Sequence, residues 1–191
     1  MSTITQKKGF GATIWDYLTT VDHKKIAILY LIAGGLFFVV AGLEAVVIRI
    51  QLAVADNDFV SAGLYNEMMT MHGTTMIFLA AMPLVFAFMN AVMPLQIGAR
   101  DVAFPFLNSL GFWLFFFGGV FLNLSWFMGG APDAGWTSYA SLSLASEGHG
   151  IDFYALGLQI SGAGTLIGGI NFLVTIINMR APGMTYMRMP L

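Results

Sequence analysis

The sequence contains no cysteine, only three histidines and few charged residues, and each shortage excludes a class of protein. Without cysteine the chain forms no disulfide, no thiolate metal site and no iron-sulfur cluster. The histidines, His23, His72 and His149, lie far apart, which excludes a histidine-ligated copper centre built from this chain alone. Charged residues make up 9% and hydrophobic residues 58%, so the composition excludes a soluble globular domain. The net charge of −2 gives no indication of nucleic-acid binding, and we predict no nucleic-acid partner.

What the sequence does contain is long apolar runs. A helix needs about 20 residues to cross a bilayer, and four mostly uncharged runs reach that length. Pro83 and Pro94 predict a kink or tilt in the second run, and Pro105 suits the first turn of the third. Residues 1–25 are predicted to form an interfacial segment on the inner face, with no cleaved signal. The sequence therefore predicts an all-α membrane protein with four transmembrane helices over residues 26–50, 68–98, 104–128 and 153–179.

The distribution of lysine and arginine predicts the orientation of the chain. The two predicted outer loops, residues 52–66 and 129–151, contain aspartate and glutamate but no lysine or arginine. Because loops rich in lysine and arginine stay on the cytoplasmic side, we expect the N-terminus to be inside. With that orientation, every basic residue except Arg49 lies on the inner side: Lys7, Lys8, Lys24, Lys25, Arg100, Arg180 and Arg188.

His72 stands in the apolar run MMTMHGTTMIF, where an unpartnered polar group costs on the order of several kcal/mol. One interpretation is an axial ligand of heme iron, because burial favours the neutral imidazole that binds iron. The other interpretation is a histidine hydrogen-bonded between helices. Neither of the other histidines sits at the same depth on another span. A second axial ligand would therefore have to come from outside this chain.

Arg49 is the one basic residue at the outer end of the first span. It either snorkels to the membrane interface or donates hydrogen bonds to a bound polar group. Glu44 precedes it by five residues and so points about 140° away, which disfavours an ion pair between them. We expect Glu44 to face a neighbouring helix or subunit, or to be protonated.

Polar residues near the inner ends of the spans admit two interpretations. Asn90 follows His72 by eighteen residues, five turns of a regular helix, so both side chains are expected to point the same way. Asp101 and Asn108 flank the start of the third span. These groups either cap helix ends beside a solvated loop or form the mouth of a proton-conducting water channel.

The fourth span and the outer loop before it carry further groups with two interpretations each. The polar face of the span either allows close helix packing, with Gly164-x-x-x-Gly168 beside it, or lines a path for water. In the loop, Trp136 and Tyr139 are either ordinary interfacial aromatics or a lid over a cofactor. The polar face consists of residues within about 140° of the helical wheel, namely Ser161, Thr165, Gly168, Asn171, Thr175 and Asn178.

Six motifs follow one another along the sequence: WDYLTTVDHKKIAILYL, EAVVIRIQLA, MHGTTMIF, MPLQIGARDVAFPFLN, GWTSYASLSL and INFLVTIINMRAPGMT. In this order they closely resemble the N-terminal third of subunit I of the heme-copper terminal oxidases. The resemblance runs from about Trp15 to the end and is greatest to the bacterial, proton-pumping cytochrome c oxidases. It implies a twelve-helix subunit in a bacterial cell membrane that passes electrons from cytochrome c to dioxygen, beside a copper-bearing subunit II.

The same resemblance implies a role for each candidate residue. His72 would be one axial ligand of the low-spin heme, and Arg49 would donate to a polar substituent of that heme. Asp101 would be the inner entrance of a proton pathway. Trp136 and Tyr139 would lie near the heme propionates. Along the proton pathway, Asn90 and Asn108 would form a narrow neck, and Ser161, Thr165 and Asn171 would organise water above it.

Two departures from the family pattern limit what the resemblance implies. Quinol-oxidising members typically have arginine, aspartate, histidine and glutamine where this sequence has Val40, Glu44, Leu64 and Glu67, which favours cytochrome c as the electron donor. The ligands of the high-spin heme and copper would lie beyond Leu191, so these 191 residues alone would lack the oxygen-reduction site. The alternatives are a quinol-oxidising enzyme and a non-catalytic four-span membrane scaffold or remnant.

Overall fold

The computed structural model describes residues 9–190. Within them, four helical segments are long and apolar enough to cross a membrane: His23–Gln51, Ala62–Gln96, Pro105–Phe127 and Gly150–Asn178. The predicted all-α membrane fold with four spans is thereby confirmed. The α-helices are α1 Phe10–Leu18, α2 His23–Gln51, α3 Ala62–Thr74, α4 Met82–Gln96, α5 Pro105–Leu124, α6 Ala140–Ser143 and α7 Gly150–Asn178. Predictions that concern Lys7, Lys8 and the rest of residues 1–8 lie outside the described residues.

Capping side chains, rather than hydropathy, set where α2 and α3 begin. Asp22 accepts a hydrogen bond from the backbone N–H of Lys24 at 2.8 Å, so α2 begins at His23, before the predicted start of the first span. Ser61 likewise caps α3, which begins well before residue 68. Hydropathy marks only the part of a helix in hydrocarbon, so these two helices begin before the predicted spans.

Successive spans run in opposite directions. His23 of α2 contacts Asn90 of α4, whereas Ala41, further along α2, contacts His72 of α3. One end of the bundle, here called the α1 end, therefore holds α1, the α4–α5 loop and the end of α7. A backbone hydrogen bond of 2.8 Å from Ala181 to Ile97 closes this end. The opposite end, the long-loop end, holds residues 52–61 and 129–149.

A π-helical turn, Thr75–Ala81, interrupts the second span between α3 and α4. Pro83 follows it after a single residue, and a proline both lacks the N–H of a regular helix and clashes with the preceding turn. A π turn takes up one residue more than an α turn and so rotates the rest of the span by about 100°. The expectation that His72 and Asn90 point the same way assumed a regular helix and is wrong for that reason.

The core lies where α5 packs against α7 and α2. Tyr30 of α2 stacks on Phe115 of α5, with ring centroids 5.4 Å apart. Glycines allow the backbones of α5 and α7 to approach closely. A Cβ built on Gly118 would lie 2.6 Å from the backbone nitrogen of Ser161, too close for any other residue. The glycine-rich part of the α7 face is therefore used for helix packing, one of the two interpretations given for it.

The glycine contact predicts a position-specific effect on stability. We expect Gly164→Ala to destabilise the protein by about 1–3 kcal/mol, because the new methyl group meets α5, 3.0 Å from the backbone nitrogen of Phe115. Gly162→Ala is the matched control on the same helix, since a Cβ placed there would have no neighbour within 4 Å. Thermal unfolding of the purified membrane protein measures both. Equal stability of the two variants would contradict the close packing described.

Candidate functional site

His72 lies in α3 with one ring nitrogen fixed against α2. Its Nδ1 is 2.9 Å from the carbonyl oxygen of Ala41. A carbonyl oxygen can only accept a hydrogen bond, so Nδ1 carries the proton and donates it. Nε2 is then left with a lone pair, and no group within residues 9–190 forms a hydrogen bond with it. Metal-bound histidines commonly have this arrangement, with the second nitrogen donating to a backbone carbonyl. The two interpretations of His72 are thus compatible, and the residue fits a heme ligand.

Trp136 packs against Gly73, the residue that follows His72 in α3. A Cβ built on Gly73 would lie 3.2 Å from the Cβ of Trp136, so glycine leaves room for the indole. The ring of Phe78 is 6.5 Å from that indole, centroid to centroid. Tyr139 differs, since its side chain is 68% exposed. Of the two loop aromatics, the structure brings only Trp136 against the helix that carries His72.

Arg49 and Glu44 occupy different faces of α2. Arg49 is exposed in the last turn of the helix, where a cation also interacts favourably with the helix dipole. Glu44 is 7% exposed and lies beside the side chain of Trp126. Its Oε2 is buried without a hydrogen-bond partner in the part of the chain described. Glu44 therefore faces the neighbouring helix α5 and its last turn, and the two residues form no ion pair.

Asn90 and Asn108 form a buried pair between α4 and α5. The Nδ2 of Asn108 donates to the Oδ1 of Asn90 at 2.6 Å, and both residues are at most 1% exposed. The Nδ2 of Asn90 donates to the carbonyl of Phe86 on its own helix. Two amides joined in this way leave unused lone pairs and one unused N–H on each side chain, which are groups that bind water in a transmembrane path.

Asn171 and Asp101 both lie at the α4–α5 loop. Asn171 accepts from the backbone nitrogen of Phe104 at 2.8 Å and donates to its carbonyl at 3.1 Å. Thr175 accepts from the nitrogen of Ala103 on the same loop. Asp101 is half-buried, and its Oδ1 accepts from the nitrogen of Val102 at 2.7 Å. Asn171 thus fastens the loop with both of its amide atoms, and Asp101 lies in the segment that it fastens.

Ser161 and Thr165 lie earlier in α7 than Asn171, away from that loop. They line a groove of about 510 Å³ together with Phe78 and Met82 of the second span. The hydroxyl of Thr165 donates to the carbonyl of Ser161 at 3.2 Å. The predicted pathway residues therefore form two groups, one at the α4–α5 loop and one in this groove.

Sequence reasoning missed four residues that take part in these contacts. His23 is 2% exposed, and its Nδ1 donates to the carbonyl of Asn90 at 2.6 Å. Because it stands at the start of an apolar run, beside two lysines, the sequence predicted an interfacial residue. Glu67, Thr70 and Tyr154 bind the loop that carries Trp136. Only the regular spacing of Glu67, Thr70 and Gly73, with three residues from each to the next, could have indicated a shared helix face.

Comparison with known proteins gives the family of this chain. Residues 25–191 match the sequence profile described as "Cytochrome C and Quinol oxidase polypeptide I". The chain belongs to this family. It is 80% identical over 192 residues to cytochrome c oxidase subunit 1 of Bacillus sp. (strain PS3) and 78% identical over 191 residues to that of Bacillus subtilis (strain 168). Against quinol oxidase subunit 1 of Bacillus spizizenii the identity is 51% over 181 residues, 93% of this chain.

The match covers only part of the relatives' length. Each of the two cytochrome c oxidase subunits is matched by 100% of this chain, which covers 31% of their own length. The quinol oxidase subunit is covered over 28% of its length.

Proposed function

We propose that this chain is the N-terminal part of subunit 1 of a bacterial cytochrome c oxidase. The complete enzyme would reduce dioxygen to water with electrons from cytochrome c and pump protons across the plasma membrane. The observation that carries this proposal is the fixed tautomer of His72, whose Nδ1 donates to Ala41 at 2.9 Å and leaves Nε2 available for iron. His23 has the same arrangement, with Nδ1 on the carbonyl of Asn90 and a buried Nε2 without a hydrogen-bond partner in the described residues. The family match covers residues 25–191 and so includes His72 but not His23, which supports His72 as the ligand.

The residues of this chain would hold the low-spin heme from one side. His72 would bind the iron through Nε2, and any further protein ligand would come from elsewhere in the subunit. Arg49 would donate hydrogen bonds to a polar substituent of the heme, and Trp136 and Tyr139 would lie near its propionates. When bound, the heme would supply one-electron transfer.

The α1 end of the bundle would admit protons. Asp101 lies half-buried in the α4–α5 loop at this end and would collect them. Asn90 and Asn108 would hold water at the neck through their unused amide groups. Ser161 and Thr165 would bind water further along, beside the groove that they line. Asn171 would keep the entrance in place by fastening Phe104.

The remaining cofactors and partners are inferred from the family. A high-spin heme and copper would be bound by later parts of the subunit, and a copper-bearing subunit II would deliver electrons from cytochrome c. The N-terminus would be cytoplasmic, as the distribution of lysine and arginine indicates. Protons and dioxygen would reach the enzyme from water and from the lipid bilayer, respectively.

The choice of cytochrome c as the electron donor rests on four residues and on the sequence identities to the two kinds of oxidase subunit. Val40, Glu44, Leu64 and Glu67 do not match the residues typical of quinol-oxidising members, and Glu67 instead binds a loop backbone. Identity to the two Bacillus cytochrome c oxidase subunits is 80% and 78%, against 51% for the quinol oxidase of Bacillus spizizenii. Oxygen consumption by the purified oxidase, with reduced cytochrome c or a quinol as donor, tests the choice. Consumption with quinol alone would establish the alternative, and absence of both heme and activity would favour the scaffold.

Arg49 provides a separate prediction. We expect Arg49→Leu to lower the midpoint potential of the low-spin heme by about 60 mV or more, because a nearby cation favours the reduced form and a charged hydrogen bond contributes about 1.5–3 kcal/mol. Redox titration of the purified oxidase measures it. Arg49→Lys keeps the charge and should show a smaller change. An unchanged potential in both variants would assign Arg49 to snorkelling alone.

A further inference from the structure

The loop at residues 130–136 runs along one face of α3. The backbone N–H of Ala131 donates to Oε2 of Glu67 at 3.4 Å, and that of Gly135 donates to Oγ1 of Thr70 at 2.9 Å. Trp136 then packs on Gly73. Residues at intervals of three share one helix face, so the loop meets successive positions of a single stripe. The stripe ends at the residue immediately after His72.

Thr70 is buried and oriented so that its hydroxyl oxygen binds this loop. It is completely buried, and its hydroxyl donates to the carbonyl of Asn66 at 2.8 Å. With the hydroxyl hydrogen committed to Asn66, the oxygen lone pairs point outward and accept the N–H of Gly135. Gly135 has a φ of 76°, a conformation that glycine adopts without strain. The bond therefore depends on both an oriented threonine and a glycine in the left-handed region.

A third contact secures the same segment from another helix. The hydroxyl of Tyr154, on α7, donates to the carbonyl oxygen of Trp136. Ser138, two residues later, is one of two non-glycine residues with positive φ in the described part of the chain, at 46°. Such a conformation is kept only where surrounding contacts fix the backbone. The indole is thus held in one place even though its side chain is 46% exposed.

We propose that Glu67 and Thr70 are positioning residues that hold Trp136 beside His72 and so set the surroundings of the low-spin heme. The inference rests on the proposed function, because it requires His72 to be the heme ligand. Neither side chain acts on the heme directly. Each acts through the loop backbone, and the indole of Trp136 is the group that changes position when either bond is lost.

Thr70→Val tests the role of the threonine, since valine has nearly the same shape and cannot accept the Gly135 N–H. In the assembled oxidase we expect the low-spin heme to be retained, its absorption band and midpoint potential to shift, and the Gly135 amide to exchange hydrogen about tenfold faster. Thr70→Ser keeps the hydroxyl and should restore all three. If Thr70→Val does not assemble, Glu67→Leu and its conservative partner Glu67→Gln provide the same comparison.

Thr175→Val is the matched control. Thr175 also accepts a loop N–H, that of Ala103 at 2.8 Å, but at the α1 end of the bundle. It should leave the spectrum and potential of the low-spin heme unchanged. An unshifted spectrum and potential in Thr70→Val, or an equal shift in Thr175→Val, would overturn the inference. Failure of the proposed function has a different signature, because His72→Ala would then retain the low-spin heme.

Discussion

Replacing His72 with alanine is expected to remove the low-spin heme from the assembled oxidase completely. The variant loses Nε2, the atom proposed to bind the iron, and the methyl group of alanine cannot coordinate iron. It also loses the hydrogen bond to Ala41 that ties α3 to α2. A reduced-minus-oxidised spectrum of the purified complex, with heme content per protein, measures the effect.

His149→Ala is the control for this experiment. His149 lies at the long-loop end, as His72 does, but it is exposed and contacts Asp152 at 3.0 Å. It should leave the low-spin heme in place. A His72→Ala oxidase with an unchanged low-spin spectrum would refute the assignment on which the proposed function depends. Loss of low-spin heme in both variants would indicate failed assembly rather than loss of a ligand.

The second large effect is expected at Asp101. We expect Asp101→Asn to slow turnover and proton uptake by about 10²-fold, the lower end of what a positioned proton-transfer group contributes. The hemes should remain, because Asp101 and His72 lie towards opposite ends of the bundle. Asparagine retains an oxygen that can accept the Val102 N–H, so the loop should keep its conformation. The change removes the titratable group and little else.

Asp22→Asn is the matched control at the same end of the bundle. Asp22 also accepts a nearby backbone N–H, that of Lys24, but it caps α2 and lies outside the α4–α5 loop. Its replacement should leave proton uptake unchanged. Measurement uses oxygen consumption and pH changes in proteoliposomes that contain the oxidase. Normal uptake in Asp101→Asn would identify the aspartate as an ordinary loop residue.

Much of the fold could be predicted because a bilayer demands long apolar helices. The four spans can be located by hydropathy alone, and Pro105 begins α5 as its chemistry predicts. The π turn was not predicted, since its apolar sequence is compatible with a regular helix and only packing next to Pro83 selects it. That one turn changes the angle around the helix axis between the side chains of His72 and Asn90. A helical-wheel argument therefore holds only as far as the helix stays regular.

The candidate site, like the fold, could be predicted only in part from the sequence. The sequence by itself determined which residues are chemically out of place in lipid, His72 and the asparagines among them, because the cost of an unpartnered polar group does not depend on the fold. Only the tertiary structure decided which nitrogen of His72 carries its proton, that Asn171 fastens a loop, and that Trp136 rests on Gly73. Each of these depends on a backbone atom of a distant segment, Ala41, Phe104 or Gly135, and backbone atoms are the same in every residue. Their partners are therefore set by the packing of the helices and cannot be read from residue types.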